Sequence, residues 1–379
     1  MTTLYIYSPY WHNMGGGERY ILHLASSLSR MPSTKVTLLS QFPDISKDRL
    51  EKVFDLDLSQ LDYKTFNGGA RSLRTIVDGA DVFIPLSNFR YIKAAPKQYV
   101  QALQVPYSGI NFLTISRRIM RGNLREGLKD ILRLRLLSHA RNSSTLTLTN
   151  SVFVHDCLLR GFNVESKVLY PPIRDFLVEG TPKRKVILSV GRIFRGLYND
   201  KRYDVLTEAF RRVSGHLKGW EYHIVGSVSL DNTSQAYLEE LKKVNKDFPV
   251  FFHVNASHEL LGRLYNESSI YWHGAGYGVD EFREPERTEH FGMSVVEGLS
   301  AKCTPIVVNK GGLKEIVSSE ENGFLWESID ELVERTMQVA DLRTQQLLEL
   351  QQNARKRFFD FSMRQFEKRV SEIFLPLIN

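Results

Sequence analysis

Glu289 and Glu297 stand eight positions apart in the stretch Glu289-His-Phe-Gly-Met-Ser-Val-Val-Glu297, and Gly311-Gly312 follows it. A helix starting at Gly292 puts one acid in the loop before it and the other inside it, so both can face one ligand. Glycine lets the main chain come close. With Phe291 and Gly292 leading in, the first-turn N–H groups of Met293 and Ser294 attract an anion such as a diphosphate. Glu289 can then accept hydrogen bonds from hexose hydroxyls, and Glu297 from a vicinal diol such as a ribose. Without a ligand the same residues make a surface helix with a well-placed N-terminal charge and one solvated acid.

Transfer from a nucleotide sugar suits this arrangement. It needs charge neutralisation on the leaving diphosphate, a donor held in line, and an acceptor hydroxyl on the correct face. Arg192 brings a planar fork and Lys201 a point charge to a diphosphate. The inserted run Phe194–Asp200 leaves Arg202 as an alternative to Lys201. The turn Gly15-Gly16-Gly17 offers further backbone donors, chiefly at Gly16 and Gly17. A dinucleotide fingerprint needs Gly-x-Gly-x-x-Gly and an acid at the end of the next strand, where this chain runs on into Gln41-Phe42, so an NAD enzyme is disfavoured.

The Glu-x7-Glu spacing resembles the signature of retaining glycosyltransferases with two Rossmann-like domains, the GT-B architecture, and most of all the family 4 (group 1) hexosyl and mannosyl transferases. The likeness extends to Leu4-Tyr-Ile-Tyr-Ser-Pro before Gly15–Arg19, to Ile187-Leu-Ser-Val-Gly191-Arg192, and to Lys201–Phe210. It implies an acceptor-binding domain over residues 1–175, completed by a returning helix within 359–379, and a nucleotide-sugar domain over 176–358. Ligand is then expected in the cleft that the domains face. The resemblance matches Arg192 and Lys201 to paired basic residues, which with Glu289 form the expected catalytic set. It places Gln104 where many members carry a His; Gln can hydrogen-bond a sugar but cannot shuttle a proton. His12 is a possible substitute. A protein nucleophile is not implied, the leaving phosphate itself helping to deprotonate the acceptor.

The elements that must position these residues follow a βα rhythm. Strands are expected at 4–8, 35–40, 81–86, 99–104 and 145–149, then at 186–190, 221–225, 250–254, 270–273 and 304–308. Alternation with amphipathic segments gives α/β domains with parallel sheets. The proline-punctuated stretch Tyr170–Pro182 separates the two halves. At 379 residues and 42% hydrophobic, the chain has room for two cores. Cys157 and Cys303 fall in different expected domains, which favours a reducing compartment. No signal peptide or membrane span is visible, which implies a cytoplasmic protein.

Residues 1–175 hold 23 Lys and Arg against 14 Asp and Glu, while the remainder holds 27 against 29. The excess gathers in Thr114–Arg141, where Arg117, Arg121, Arg125, Lys129 and Arg133 recur every fourth residue as a stripe on one helix side, with Gly122 as a possible break. Such a stripe fits anionic lipid headgroups, or else is a solvated face. Nucleic acid is not expected, because no aromatics interleave and no motif accompanies it. Metal is not expected to be required: Asp55-Leu-Asp57 reads as surface, and the His groupings lack companions for a zinc site. Tyr271–Gly278 and the charged run Asp280–Arg287 form a loop leading into Glu289.

The expectation is a retaining hexosyltransferase moving a sugar from a GDP- or UDP-hexose, with a lean to GDP-mannose, onto a lipid-linked glycan. It would work in the cytoplasm, peripheral on the inner face of a membrane, with no cofactor beyond the donor. The alternatives are a non-catalytic nucleotide- or lipid-binding protein of the same fold and a sugar-nucleotide epimerase or hydrolase.

Overall fold

The computed structural model describes residues 1–107, 109–110, 112–142, 145–196 and 198–378. The chain forms two compact units, Met1–Pro172 with Arg364–Asn379, and Ile173–Met363, passing from one to the other inside the proline-rich stretch.

The first unit carries β1 Thr2–Tyr7, α1 Gly16–Ser29, β2 Thr34–Ser40, α2 Lys47–Phe54, β3 Asp62–Thr65, α3 Gly69–Val77, β4 Val82–Pro85, β5 Gln98–Ala102, α4 Phe112–Met120, α5 Leu124–Ala140, β6 Thr145–Thr149, α6 Val152–Phe162 and β7 Lys167–Val168. Its strands pair in parallel in the order β3-β2-β1-β4-β5-β6-β7. The central strands read as apolar runs (Val-Phe-Ile-Pro in β4) because helices cover both faces.

The second unit carries β8 Arg184–Val190, α7 Tyr203–Ser214, β9 Glu221–Gly226, α8 Asn232–Val244, β10 Val250–Val254, α9 His258–Glu267, β11 Ser268–His273, α10 Met293–Ser300, β12 Thr304–Val308, β13 Phe324–Trp326, α11 Ile329–Ala340 and α12 Thr344–Phe358. The order β10-β9-β8-β11-β12-β13, again parallel, reverses direction between β8 and β11. That reversal is the topological switch point of a doubly wound sheet, where the loops after the two central strands diverge and leave a crevice.

All ten expected strands are present: β6, β10 and β12 have the expected ends, and the other seven have ends shifted by one or two residues. The three not foreseen, β3, β7 and β13, are two to four residues long and lie at or next to sheet edges, too short to show a period of two.

The returning helix α13, Met363–Ile378, starts later than the stretch expected for it, because Phe359–Phe361 form a 3₁₀ turn and Ser362 is extended. Its buried stripe Phe366, Val370, Ile373 and Phe374 enters the first unit's core. Phe366 meets Tyr20 edge-on at 6.1 Å, Arg30 pairs with Glu367 at 2.7 Å, and the Thr2 hydroxyl donates to the Ile378 carbonyl at 3.1 Å.

His23 of α1 also faces Phe366, at 6.4 Å between ring centres. Burial, with Arg19 and Arg30 nearby, pushes its pKa down to about 4. The unfolded chain takes the proton first, near pH 6.5, so stability present above that value is lost as pH falls toward 4. After allowance for partial exposure the loss is about 2 kcal/mol. Urea unfolding at pH 7 and pH 4.5 should show it in the wild type and a flatter response in His23→Gln.

Candidate active site

Each loop at the second unit's switch point brings one functional group. Directly after β8, Gly191 and Arg192 turn away from the sheet, and the Lys201 side chain lies across Gly191. A Cβ there would stand 2.7 Å from Lys201 Cε, so only glycine leaves this path to the lysine. Lys201 is 15% exposed and its ammonium lies 2.5 Å from Glu289 Oε2. Arg192 is exposed, stacks 5.3 Å from the Phe194 ring, and among the described residues pairs with no carboxylate. Arg202 is turned elsewhere: it chelates Asp204 and donates to the Tyr277 carbonyl at 2.7 Å.

β11 ends in His273, which is fully buried and places Nε2 3.0 Å from the same Glu289 oxygen. Burial pushes the Glu289 carboxyl up, but the Lys201 ammonium and the His273 hydrogen bond outweigh it and hold the pKa well below the usual range. Burial, with repulsion from Lys201, pushes His273 down, so its imidazole is neutral and donates through Nε2–H.

The backbone around Glu289 is clamped by the Gly311–Glu315 3₁₀ turn. Gly312 N–H donates to the Glu289 carbonyl at 2.8 Å, and a Cβ on Gly312 would meet the His290 carbonyl at 2.5 Å. Gly311 N–H in turn donates to the buried Glu281 at 2.8 Å, which also accepts from Lys314 at 2.6 Å. The loop before Glu289 is thus pinned at Tyr277 by Arg202 and at Glu281 by the glycine turn.

Gly292 adopts φ +115 as the N-cap of α10 and packs against Leu313 and Ile316. Among the described residues the N–H groups of Met293 and Ser294 have no acceptor, as first-turn donors must. Glu297 sits one turn in, with Tyr265 donating to its Oε2 at 2.8 Å. The Phe291 side chain is 2% exposed and packs on Phe361, so what this residue has to offer a donor is its backbone. Sequence reasoning missed His273, Glu281 and Tyr265. His273 had one readable signal, a polar residue closing an apolar strand sixteen positions before the acid.

In the first unit Gly16 and Gly17 open α1, whose N-terminus is capped by Glu18 accepting the Gly15 N–H at 3.0 Å. The Gln104 side-chain oxygen lies 2.9 Å from where a Gly17 Cβ would stand, so these two residues meet at the C-terminal edge of that sheet. His12 lies in the 3₁₀ turn Trp11–Asn13, edge-on to Phe42 at 5.0 Å.

The basic stripe is not one helix. α4 and α5 form a hairpin broken at Arg121–Asn123, with Gly122 at φ +78. Arg117, Arg121, Arg125 and Lys129 are exposed, but Arg133 is not part of any outer face. It is 8% exposed, pairs with buried Asp130 at 2.7 Å, and stacks over Phe89 and Tyr107. Asp130 draws it in, together with Arg118, because a buried carboxylate needs charged partners.

Residues 175–357 match the model of the family "Glycosyl transferases group 1". A "GDP-Man:Man(3)GlcNAc(2)-PP-Dol alpha-1,2-mannosyltransferase" of Dictyostelium discoideum is 26% identical over 256 residues, covering 62% of this chain and 48% of that protein. The Xenopus laevis protein of the same name is 32% identical over 136 residues, 34% of this chain and 26% of that one. The chain therefore spans about half or less of these curated relatives. Among solved structures, a glycosyltransferase from Rickettsia africae superposes with a TM-score of 0.72 at 16% identity, over 100% of this chain and 99% of that one. Anabaena HepE in complex with UDP and glucose gives 0.66 at 15% identity, over 99% of both chains. At these identities the structural likeness is one of fold. The chain thus has the GT-B fold of these glycosyltransferase structures, and the match to the group 1 glycosyl transferase model covers nearly the whole of its second unit.

Proposed function

We propose that the protein transfers mannose from GDP-mannose, with retention of anomeric configuration, to a hydroxyl of a lipid-linked glycan. The observation that carries this reading is the Lys201–Glu289 pair beside Gly191 and the unsatisfied first turn of α10. An ammonium has three donors and spends one on Glu289, so Lys201 can hold a donor phosphate and the acid at once. Arg192 adds a fork, and the α10 N–H groups meet the remaining phosphate oxygens. Glu289 then faces the sugar hydroxyls and Glu297 the ribose diol. With these cations neutralising the leaving diphosphate, transfer is expected to proceed without a divalent metal. The curated relatives named for GDP-mannose and a dolichol-linked glycan support this donor and acceptor class; UDP-hexoses are the second choice, favoured by the UDP-bound neighbour.

Thermal stabilisation by GDP-, UDP- and ADP-sugars tests the donor. At a hundredfold excess over Kd, GDP-mannose should stabilise by about 2.7 kcal/mol, and Glu297→Ala should lose the effect. Radiolabelled GDP-mannose with a lipid-linked oligosaccharide then tests transfer, with and without EDTA. Sugar released from donor alone would point instead to a hydrolase, and binding without turnover to a non-catalytic protein.

The first unit's hairpin supports a peripheral place on the cytoplasmic face of a membrane. Beside its exposed arginines it leaves Leu113, Ile119, Met120, Leu124, Leu128 and Leu132 uncovered. Among the described residues no helix is long and apolar enough to cross a membrane. Each basic side chain near an anionic surface contributes about 1 kcal/mol. Arg117→Glu with Arg121→Glu and Arg125→Glu should therefore abolish co-sedimentation with phosphatidylserine vesicles and leave nucleotide binding unchanged.

A further inference from the structure

We propose that His273 is a positioning residue that holds Glu289 for recognition of the transferred sugar. This rests on the reading of Glu289 as the acid that meets the sugar hydroxyls.

Glu289 is fixed at both ends. Its carbonyl takes the Gly312 N–H, while its Oε2 takes both Lys201 Nζ at 2.5 Å and His273 Nε2 at 3.0 Å. Both side-chain bonds fall on one oxygen, and among the described residues Oε1 has none, which leaves that oxygen free to accept from a ligand. The two donors are not equivalent. Lys201 is a point charge on a four-carbon stem, drawn to a diphosphate as soon as one arrives. His273 is a rigid ring at the end of a central strand, buried on every side, with a single proton to give. When the ammonium is shared between Glu289 and the phosphate, His273 keeps the carboxylate oriented. Nothing in a phosphate-binding role calls for this histidine, so its effect belongs to the sugar and not to the nucleotide.

Isothermal titration of GDP and of GDP-mannose into the wild type, His273→Leu and His273→Gln separates the possibilities. The glutamine amide reaches about as far as Nε2 and can donate the same hydrogen bond, whereas leucine cannot. In His273→Leu, GDP-mannose should bind about tenfold more weakly, while GDP stays within about twofold of the wild type. In His273→Gln, GDP-mannose affinity should return to within about threefold of the wild type. Should the leucine variant fail to fold, His273→Asn replaces it, since its shorter amide falls short of Glu289, and the same outcomes apply. Equal weakening of GDP and GDP-mannose would show a merely structural histidine and overturn the proposal. So would unchanged GDP-mannose binding in His273→Leu, or a glutamine variant that behaves like leucine. A wild type that binds neither ligand overturns the underlying reading of the site itself, and the role of His273 falls with it.

Discussion

Glu289→Gln should lower sugar transfer by about 10²–10³-fold, the scale seen when a single group that stabilises a transition state is lost. The amide keeps the shape of the carboxylate and removes its charge. Lys201 is then left as a largely buried ammonium facing a neutral group, and stability should fall by about 3 kcal/mol. Adding Lys201→Met removes the uncompensated charge, so the double variant should regain most of the stability and none of the activity. Chemical unfolding and transfer assays on the two singles and the double complete the cycle. Because the Glu289 carboxyl is held far below its ordinary range, it stays ionised throughout any practical assay, and the wild-type pH profile should carry no limb from this acid.

Gly311→Ala should be as damaging, through the backbone. Gly311 has φ +58, and a Cβ would stand 2.3 Å from the Glu289 carbonyl oxygen and 2.7 Å from Thr288 Oγ1. Neither neighbour can retreat easily. The Glu289 carbonyl is held by Gly312, and the buried Thr288 hydroxyl is tied to the Pro285 carbonyl at 2.8 Å. A cost of about 2–4 kcal/mol is expected, with loss of stabilisation by the donor. Gly180→Ala is the control: it has φ +82 but nothing within 4 Å of the added methyl, so it should cost only about 1 kcal/mol of backbone strain. The difference between the two variants in urea isolates the collision with Glu289 from the conformational penalty.

The sheets were legible in the sequence because buried parallel strands are written as short apolar runs. Val82–Pro85 and Thr304–Val308 announce themselves, while the four polar residues of β3 do not. The glycine before α10 was legible for a similar reason, as a break at the start of an apolar helix. Partnerships across the fold were not. Lys201 and Glu289 are 88 positions apart, and nothing local distinguishes Lys201 from Arg202; the backbone decides, turning one toward Glu289 and the other toward Asp204. The packing of the Phe291 side chain on Phe361, seventy residues onward, was likewise not legible. The helix break within the arginine stripe was legible at Gly122, which at positive φ folds the segment back on itself, whereas the inward turn of Arg133 toward Asp130 was not. Gly127 then lets α4 approach α5 so closely that a Cβ there would lie 2.6 Å from Ile119.

The path of α13 has a consequence for how the protein is made. Most of the first unit is translated before the second, yet the helix that fills its core with Phe366, Val370, Ile373 and Phe374 comes only after the whole of Ile173–Met363. At about 5–20 residues per second, the ribosome leaves that unit incomplete for on the order of ten seconds or more. During that interval Tyr20 and its neighbours on α1 lack their cover. The nascent chain therefore presents an apolar face while the whole of the second unit is being made, and the first unit is completed only after the second has been translated.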